Sequence, residues 1–170
     1  PVPFTYEDWD GKCVYVWFEA VQGYLTCAQI WAERHANEHQ LGEEAWRSWW
    51  CLDEHGNSPR HLYFLGKDNI PFHTVIWPAI LLGLNMTKRG VNDPSLPQPG
   101  DLALPHDVPA MEYLMLSGGQ FSKSRKHAVW LPSFLEHHDP DTLRYYLSIN
   151  MPENHDTDFT WEDFVEKINS

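Results

Sequence analysis

With 170 residues, 42% of them hydrophobic and 14% aromatic, the chain can build one domain with a sizeable core, which excludes a disordered or collagen-like polymer. Twelve basic against 24 acidic residues give a net charge of −12, which excludes a broad basic surface that wraps nucleic acid and leaves only local patches for such contact. Cys13, Cys27 and Cys51 are odd in number and widely spaced, so reduced cytosolic thiols are expected and neither a disulfide framework nor a zinc ribbon is. No uninterrupted run of 18 apolar residues and no secretory layout occurs, which predicts a cytoplasmic chain with no membrane partner. The start at Pro1 reads as mid-domain and the end falls within an amphipathic helix, so an incomplete segment of a longer protein is expected.

In chain order, Lys12 to Glu19 is nearly continuously apolar and predicts a strand buried on both faces of a parallel sheet. A helix is expected from about Thr26, and a second, short one over Glu43 to Trp50. The cluster from Asp53 to Pro59 predicts a turn. His61 to Leu65 reads as another buried strand ending at Gly66-Lys67-Asp68-Asn69. Pro71 in a first turn predicts a helix through Leu82 that stops at Gly83 and bends at Pro78, which has no N–H for the Thr74 carbonyl. Val91 to Pro109 carries five Pro and Gly100 and reads as a surface connection. Tyr113 to Leu116 is a third strand. Asp139 caps a helix containing Leu143, Tyr146 and Leu147, and Trp161 to Ile168 forms another. Strands separated by helices indicate α/β architecture: a Rossmann-like parallel sheet over residues 1–118, then a loop and α-helical segments over 119–170.

Three segments of such a sheet end where ligands sit, beyond the carboxyl ends of its strands. After the first strand come Trp17 and Ala20; after the second, Gly66 and Asp68; after the third, Gln120-Phe121-Ser122-Lys123-Ser124-Arg125. Gly66 permits close backbone approach and Asp68 can accept from ribose hydroxyls or an ammonium. The last string suits a mobile cationic loop in which Lys123 closes on a polyphosphate, although alone such a string is more often a solvated basic loop. Phe72, His73 and Trp77, with His73 and Trp77 at i, i+4, could join Trp17 and Tyr24 in an aromatic box for a slender polarizable side chain such as a thioether; aromatic residues at this spacing also read as plain core. Ten histidines invite a metal reading. His35 and His39 lie at i, i+4 but do not form His-Glu-x-x-His, and a solvated helix face fits them better. His137 and His138 before Asp139 end a helix, where His meets the negative pole.

Taken in order, these segments resemble the catalytic domain of the methionyl-tRNA synthetase family. Val14 to Tyr24 is similar to that family's pocket strand, and Phe64 to Pro78, with Gly66, Asp68, Phe72, His73 and Trp77, to its second pocket motif. Phe121-Ser122-Lys123-Ser124 resembles the class I KMSKS signature, and Leu143 to Leu147 and Asp158 to Phe164 match the stretch after it. The resemblance implies that Trp17, Ala20, Tyr24, Asp68, Phe72, His73 and Trp77 bind methionine, with Tyr24 and His73 near the sulfur. It also implies that Gly66, Asp68, Ser122, Lys123 and Ser124 bind ATP, supplied with Mg2+ as its substrate complex, and that Lys123 is catalytic at the pyrophosphate. The implied reaction joins methionine to tRNA through an adenylate, with no zinc held by this segment.

Gln120 stands where the signature has its first lysine, Val21 where the bacterial pattern has Pro, and Lys126 where Gly usually follows the Arg. No His-x-Gly-His occurs in the 170 residues, so the chain is expected to be the second half of a nucleotide fold, inactive and marginally folded without the remainder of the synthetase. A synthetase for leucine, valine or isoleucine, a non-catalytic remnant and a His-based metal module stand as alternatives. Bulk at Trp17, Tyr24 and Trp77 disfavours branched substrates.

Overall fold

A computed structural model describes residues 12–36, 42, 44–90 and 97–169. The chain divides into two compact units, one of Pro1–Tyr63 with Asp68–Pro109 and one of Phe64–Lys67 with Ala110–Ser170. Its architecture is mixed α/β with short, mainly parallel strand pairs, in keeping with the expected class.

The first unit opens with helices α1 (Val16–Ala20), α2 (Gly23–His35) and α3 (Arg47–Trp50). The strand predicted over Lys12 to Glu19 is therefore replaced by an extended lead and one helical turn. Val14, Tyr15, Val16 and Phe18 are exposed, and no strand among the described residues pairs with them. An unpaired apolar strand would leave its N–H and C=O groups without partners; here Phe18 N–H donates to Tyr15 O at 2.9 Å and Gln22 N–H to Glu19 O at 3.0 Å. Val21, fully buried, anchors the turn that follows.

Strand β1 (His61–Leu62) then pairs in parallel with β3 (Pro105–Asp107), with an irregular register between His61 and Leu62. After a 3-10 turn over Lys67–Asn69, a π-helical segment (Phe72–Ile76) leads into α4 (Trp77–Arg89). The Trp77 N–H reaches back to Phe72 O, so the bend expected at Pro78 takes the form of a wide turn just before it. Gly83 does not stop this helix. A glycine within a helix costs only about 1 kcal/mol, whereas the next turns pack Asn85 and tie it to Leu102; the true end is Gly90, left-handed at φ 67°. The helical run Lys67–Arg89, 23 residues long, is long and apolar enough by length and composition to cross a membrane. One face of it is packed nonetheless, with Trp77 and Leu81 wholly buried and the Lys88 ammonium donating to Gly100 O at 2.7 Å.

In the second unit β2 (Leu65–Gly66) pairs in parallel with β4 (Ala110–Met111). A three-stranded sheet places β5 (Leu114–Leu116) between β6 (Gly119–Gln120), antiparallel, and β7 (Thr157–Phe159), parallel. Helices α5 (Leu131–Leu135), α6 (Pro140–Ile149) and α7 (Trp161–Asn169) complete it. As expected, Asp139 caps α6, its carboxylate accepting from the Asp141 N–H at 2.8 Å. Leu116, Phe134, Tyr146, Phe159 and Phe164 form the core, joined by edge-on ring pairs such as Tyr146 on Phe164 at 5.2 Å.

At the rim of this core Tyr146 donates to the Asp163 carboxylate at 2.6 Å, and Lys167 approaches the same carboxylate at 3.0 Å. The Tyr146 bond, then the Lys167 bond, hold the Asp163 carboxyl below its ordinary value of 3.8. A depressed folded value means that the stabilisation is complete above 3.8 and is lost as pH falls through the folded value. Asp163→Asn is therefore expected to lower the urea midpoint at pH 6, with the gap from the unsubstituted chain closing below pH 3.8. A gap independent of pH would show that the charge does not matter.

Candidate active site

Residues from four separate stretches of the first unit meet in an aromatic cluster. Two consecutive side chains of the π-helical segment carry it. Phe72 stacks on Trp17 of α1, ring centres 5.4 Å apart and planes at 23°, while His73 meets Tyr24 of α2, Oη to Nε2 2.9 Å. The other His73 nitrogen, Nδ1, lies 2.9 Å from Asn69 O. A carbonyl only accepts, so Nδ1 carries a proton; in the neutral ring Nε2 then accepts the Tyr24 hydroxyl proton. His73 is buried whereas Tyr24 is 45% exposed, which gives the pair a fixed inner member and an open outer one.

Trp77 is fully buried and joins the cluster through Tyr63, which was not among the residues predicted. The indole Nε1–H donates to the Tyr63 hydroxyl at 2.9 Å. The Tyr63 ring lies edge-on to Tyr24 at 5.2 Å and 5.5 Å from the His73 ring. Burial pushes the Tyr63 phenol above its ordinary value. The only sequence signal for it was an aromatic residue within the second predicted strand, and nothing local tells an inward ring from an outward one. Trp17, Tyr24, Phe72, His73 and Trp77 are thus brought together. Ala20 ends α1 and is exposed, and Asp68 is exposed in the turn whose Asn69 carbonyl holds His73.

In the second unit Gly66 pairs with Met111, and a Cβ built on it would meet nothing within 4 Å, so its backbone is open to close approach. Lys67 beside it forms an ion pair with Glu112, lies 3.8 Å from Asp156 and sits over the Tyr113 ring at 4.6 Å. The Glu112 bond raises the Lys67 pKa, and these contacts make Lys67 a structural cation.

The segment expected to be a mobile loop forms a hydrogen-bonded turn. Ser117 and Gly118 both have positive φ, 48° and 77°, the geometry of a tight hairpin turn, and the Gly118 N–H is held by the Asp158 carboxylate at 2.9 Å. Beyond β6, Ser122 and His127 exchange backbone hydrogen bonds of 2.8 and 3.0 Å, and Lys126 N–H donates to Lys123 O at 3.1 Å. Ser122 Oγ lies 3.2 Å from Ser124 Oγ and accepts from the Arg125 N–H at 3.3 Å. The His127 Nε2–H donates to Leu116 O at 2.8 Å. Gly119 leaves room for this ring, since a Cβ there would stand 3.2 Å from Nε2. Lys123, Ser124 and Arg125 are exposed on the turn so formed. His127 acts as its latch, although within the sequence it reads only as part of a cationic stretch.

Among the described residues no group of three or more His, Cys, Asp and Glu could hold a metal ion. His35 stacks on Trp31 at 4.9 Å and bonds Trp31 O; its proposed mate His39 lies outside the described residues. His138 packs on Phe134 at 4.6 Å after α5, as a helix-ending residue.

The family described as tRNA synthetases class I (M) matches residues 1–170. The methionine--tRNA ligase of Roseiflexus sp. (strain RS-1) is 45% identical over 171 residues, covering 100% of this chain and 26% of its own length. That of Dehalococcoides mccartyi (strain CBDB1) is 45% identical over 168 residues, with coverage of 99% and 26%. The chain thus spans about a quarter of the length of these relatives. A solved structure, Mycobacterium tuberculosis methionyl-tRNA synthetase in complex with methionyl-adenylate, superposes with a TM-score of 0.58 at 27% identity, over 92% of this chain and 24% of that one.

Proposed function

The chain belongs to the class I (M) tRNA synthetases, and from that membership we propose that it supplies the methionine-side-chain site and the phosphate loop of a methionine–tRNA ligase. The observation that carries this reading is the pair of contacts borne by consecutive residues, Phe72 on Trp17 and His73 on Tyr24. An aromatic rim over a hydrogen-bonded floor suits a linear, polarizable thioether, for which sulfur–ring contacts contribute about 0.3–1.5 kcal/mol each. Binding of methionyl-adenylate by the structural neighbour supports the same substrate chemistry.

In the reaction proposed, a methionine carboxylate oxygen attacks the α-phosphorus of ATP and the bond to the β-phosphate bridging oxygen breaks, releasing pyrophosphate with its magnesium. Lys123 meets the charge on that leaving group electrostatically, with Ser122 and Ser124 as hydroxyl partners for phosphate oxygens. Gly66 admits the nucleotide close to the backbone, and Asp68 takes the substrate ammonium or the ribose hydroxyls. Ala20 adds a small apolar wall to the methionine site. The methionyl group then passes to the terminal ribose of tRNA, a step that draws on the remainder of the synthetase.

The complete protein that contains this chain is expected to catalyse ATP–pyrophosphate exchange that depends on methionine. Leucine, isoleucine and valine at the same concentration should support less than about 1% of that rate, because branching at Cβ or Cγ collides with a site built of rings. Exchange driven equally by leucine would overturn the assignment.

A further inference from the structure

Resting on the reading of the aromatic cluster as the methionine site, we infer that Tyr63 is a positioning residue for substrate specificity: its hydroxyl fixes the indole of Trp77 and its ring braces Tyr24 and His73. Its own backbone is anchored, since the Tyr63 N–H donates to Asp107 O at 3.0 Å beside the β1–β3 pair, and only 8% of the residue is exposed. The side chain therefore has a set origin and direction.

Three of the proposed site residues meet on this one ring. The contact with Trp77 is the directional one. An indole has a single N–H and no acceptor, and with Trp77 fully buried that N–H has no water to turn to if the phenol oxygen is removed. A residue that only filled space here could be Phe; the hydroxyl is what selects one orientation of the indole. Tyr63 itself is almost closed to solvent, so it acts on a bound side chain through Trp77, Tyr24 and His73.

The test is Tyr63→Phe in the complete enzyme, which keeps the ring and removes one oxygen. The KM for methionine in ATP–pyrophosphate exchange is expected to rise about 10-fold, equivalent to about 1.4 kcal/mol, with kcat and the KM for ATP held within about twofold. The preference for methionine over norleucine should fall at the same time. In a Trp77→Phe background, where no indole N–H remains, adding Tyr63→Phe should raise the methionine KM less than about twofold further. KM does not depend on the folded fraction of a preparation, so reduced yield does not obscure the result. An unchanged methionine KM, or an equal rise for methionine and ATP, overturns the inference while leaving the assigned reaction standing. Absence of methionine-dependent exchange in the unsubstituted enzyme overturns the reading beneath it as well.

Discussion

Replacing Lys123 with Ala in the complete enzyme is expected to slow formation of the adenylate at least about 100-fold, the usual effect of losing one preorganised group that stabilises developing charge. The expectation rests on where the fold holds this lysine. The Ser122–His127 bonds and the Lys126-to-Lys123 bond close the backbone turn from which its exposed side chain extends. Lys126 bears a left-handed backbone angle, φ 56°, and the next residue, His127, is held by its bond to Leu116 O. With Gln120 uncharged, the cations of this stretch are Lys123, Arg125 and Lys126. Single-turnover adenylate formation is the measurement, because it isolates the step in which pyrophosphate leaves. The methionine KM should stay within about twofold, since the role proposed for Lys123 is at the departing pyrophosphate and not at the methionine side chain. An unchanged rate would remove Lys123 from the mechanism.

Trp77→Ala is expected to destabilise the chain by about 3–5 kcal/mol, a large share of the stability of any unit this size. Its indole is fully exposed to protein and not at all to solvent, with Trp50 edge-on at 6.3 Å and the Tyr63 hydroxyl at 2.9 Å. Removing it leaves a cavity and an unpaired phenol oxygen together. Trp130→Ala is the control: that indole is 48% exposed, and its loss should cost less than about 1 kcal/mol. Urea denaturation followed by circular dichroism distinguishes the two. Equal midpoints for the two variants would contradict the assignment of Trp77 to the core. Of the two readings of an aromatic residue at helical spacing, core or ligand site, Trp77 takes the first: its indole has no exposed surface and is held among Trp50 and Tyr63.

Much of the chain was legible locally. Asp139 followed by Pro140 announces α6, Trp161 with Phe164 and Ile168 announces α7, and the aromatic side chains at 17, 24, 72, 73 and 77 stand out by type and spacing alone. These features depend on interactions within a few residues of chain or on the rarity of the side chain. The failures share one cause. Cys13 to Phe18 has the composition of a buried strand, but strand formation needs a neighbour at hydrogen-bond distance, which no property of the segment itself guarantees. Gly83 reads as a stop because the reward for continuing, Asn85 bridging to Leu102 across 17 residues of sequence, is not local.

The residue types at the candidate site, the order of the motifs, the cap of α6 and the α/β class follow from the sequence, because each is written in spacing, propensity or chemical identity. The Tyr63–Trp77 bond, the direction of the His73 proton, the commitment of Lys67 to Glu112 and the fastening of the Ser122–His127 turn to Leu116 were decided only in three dimensions. Each depends on which donor meets which acceptor across the fold, and such pairings are set by packing among distant segments and not by the segments themselves.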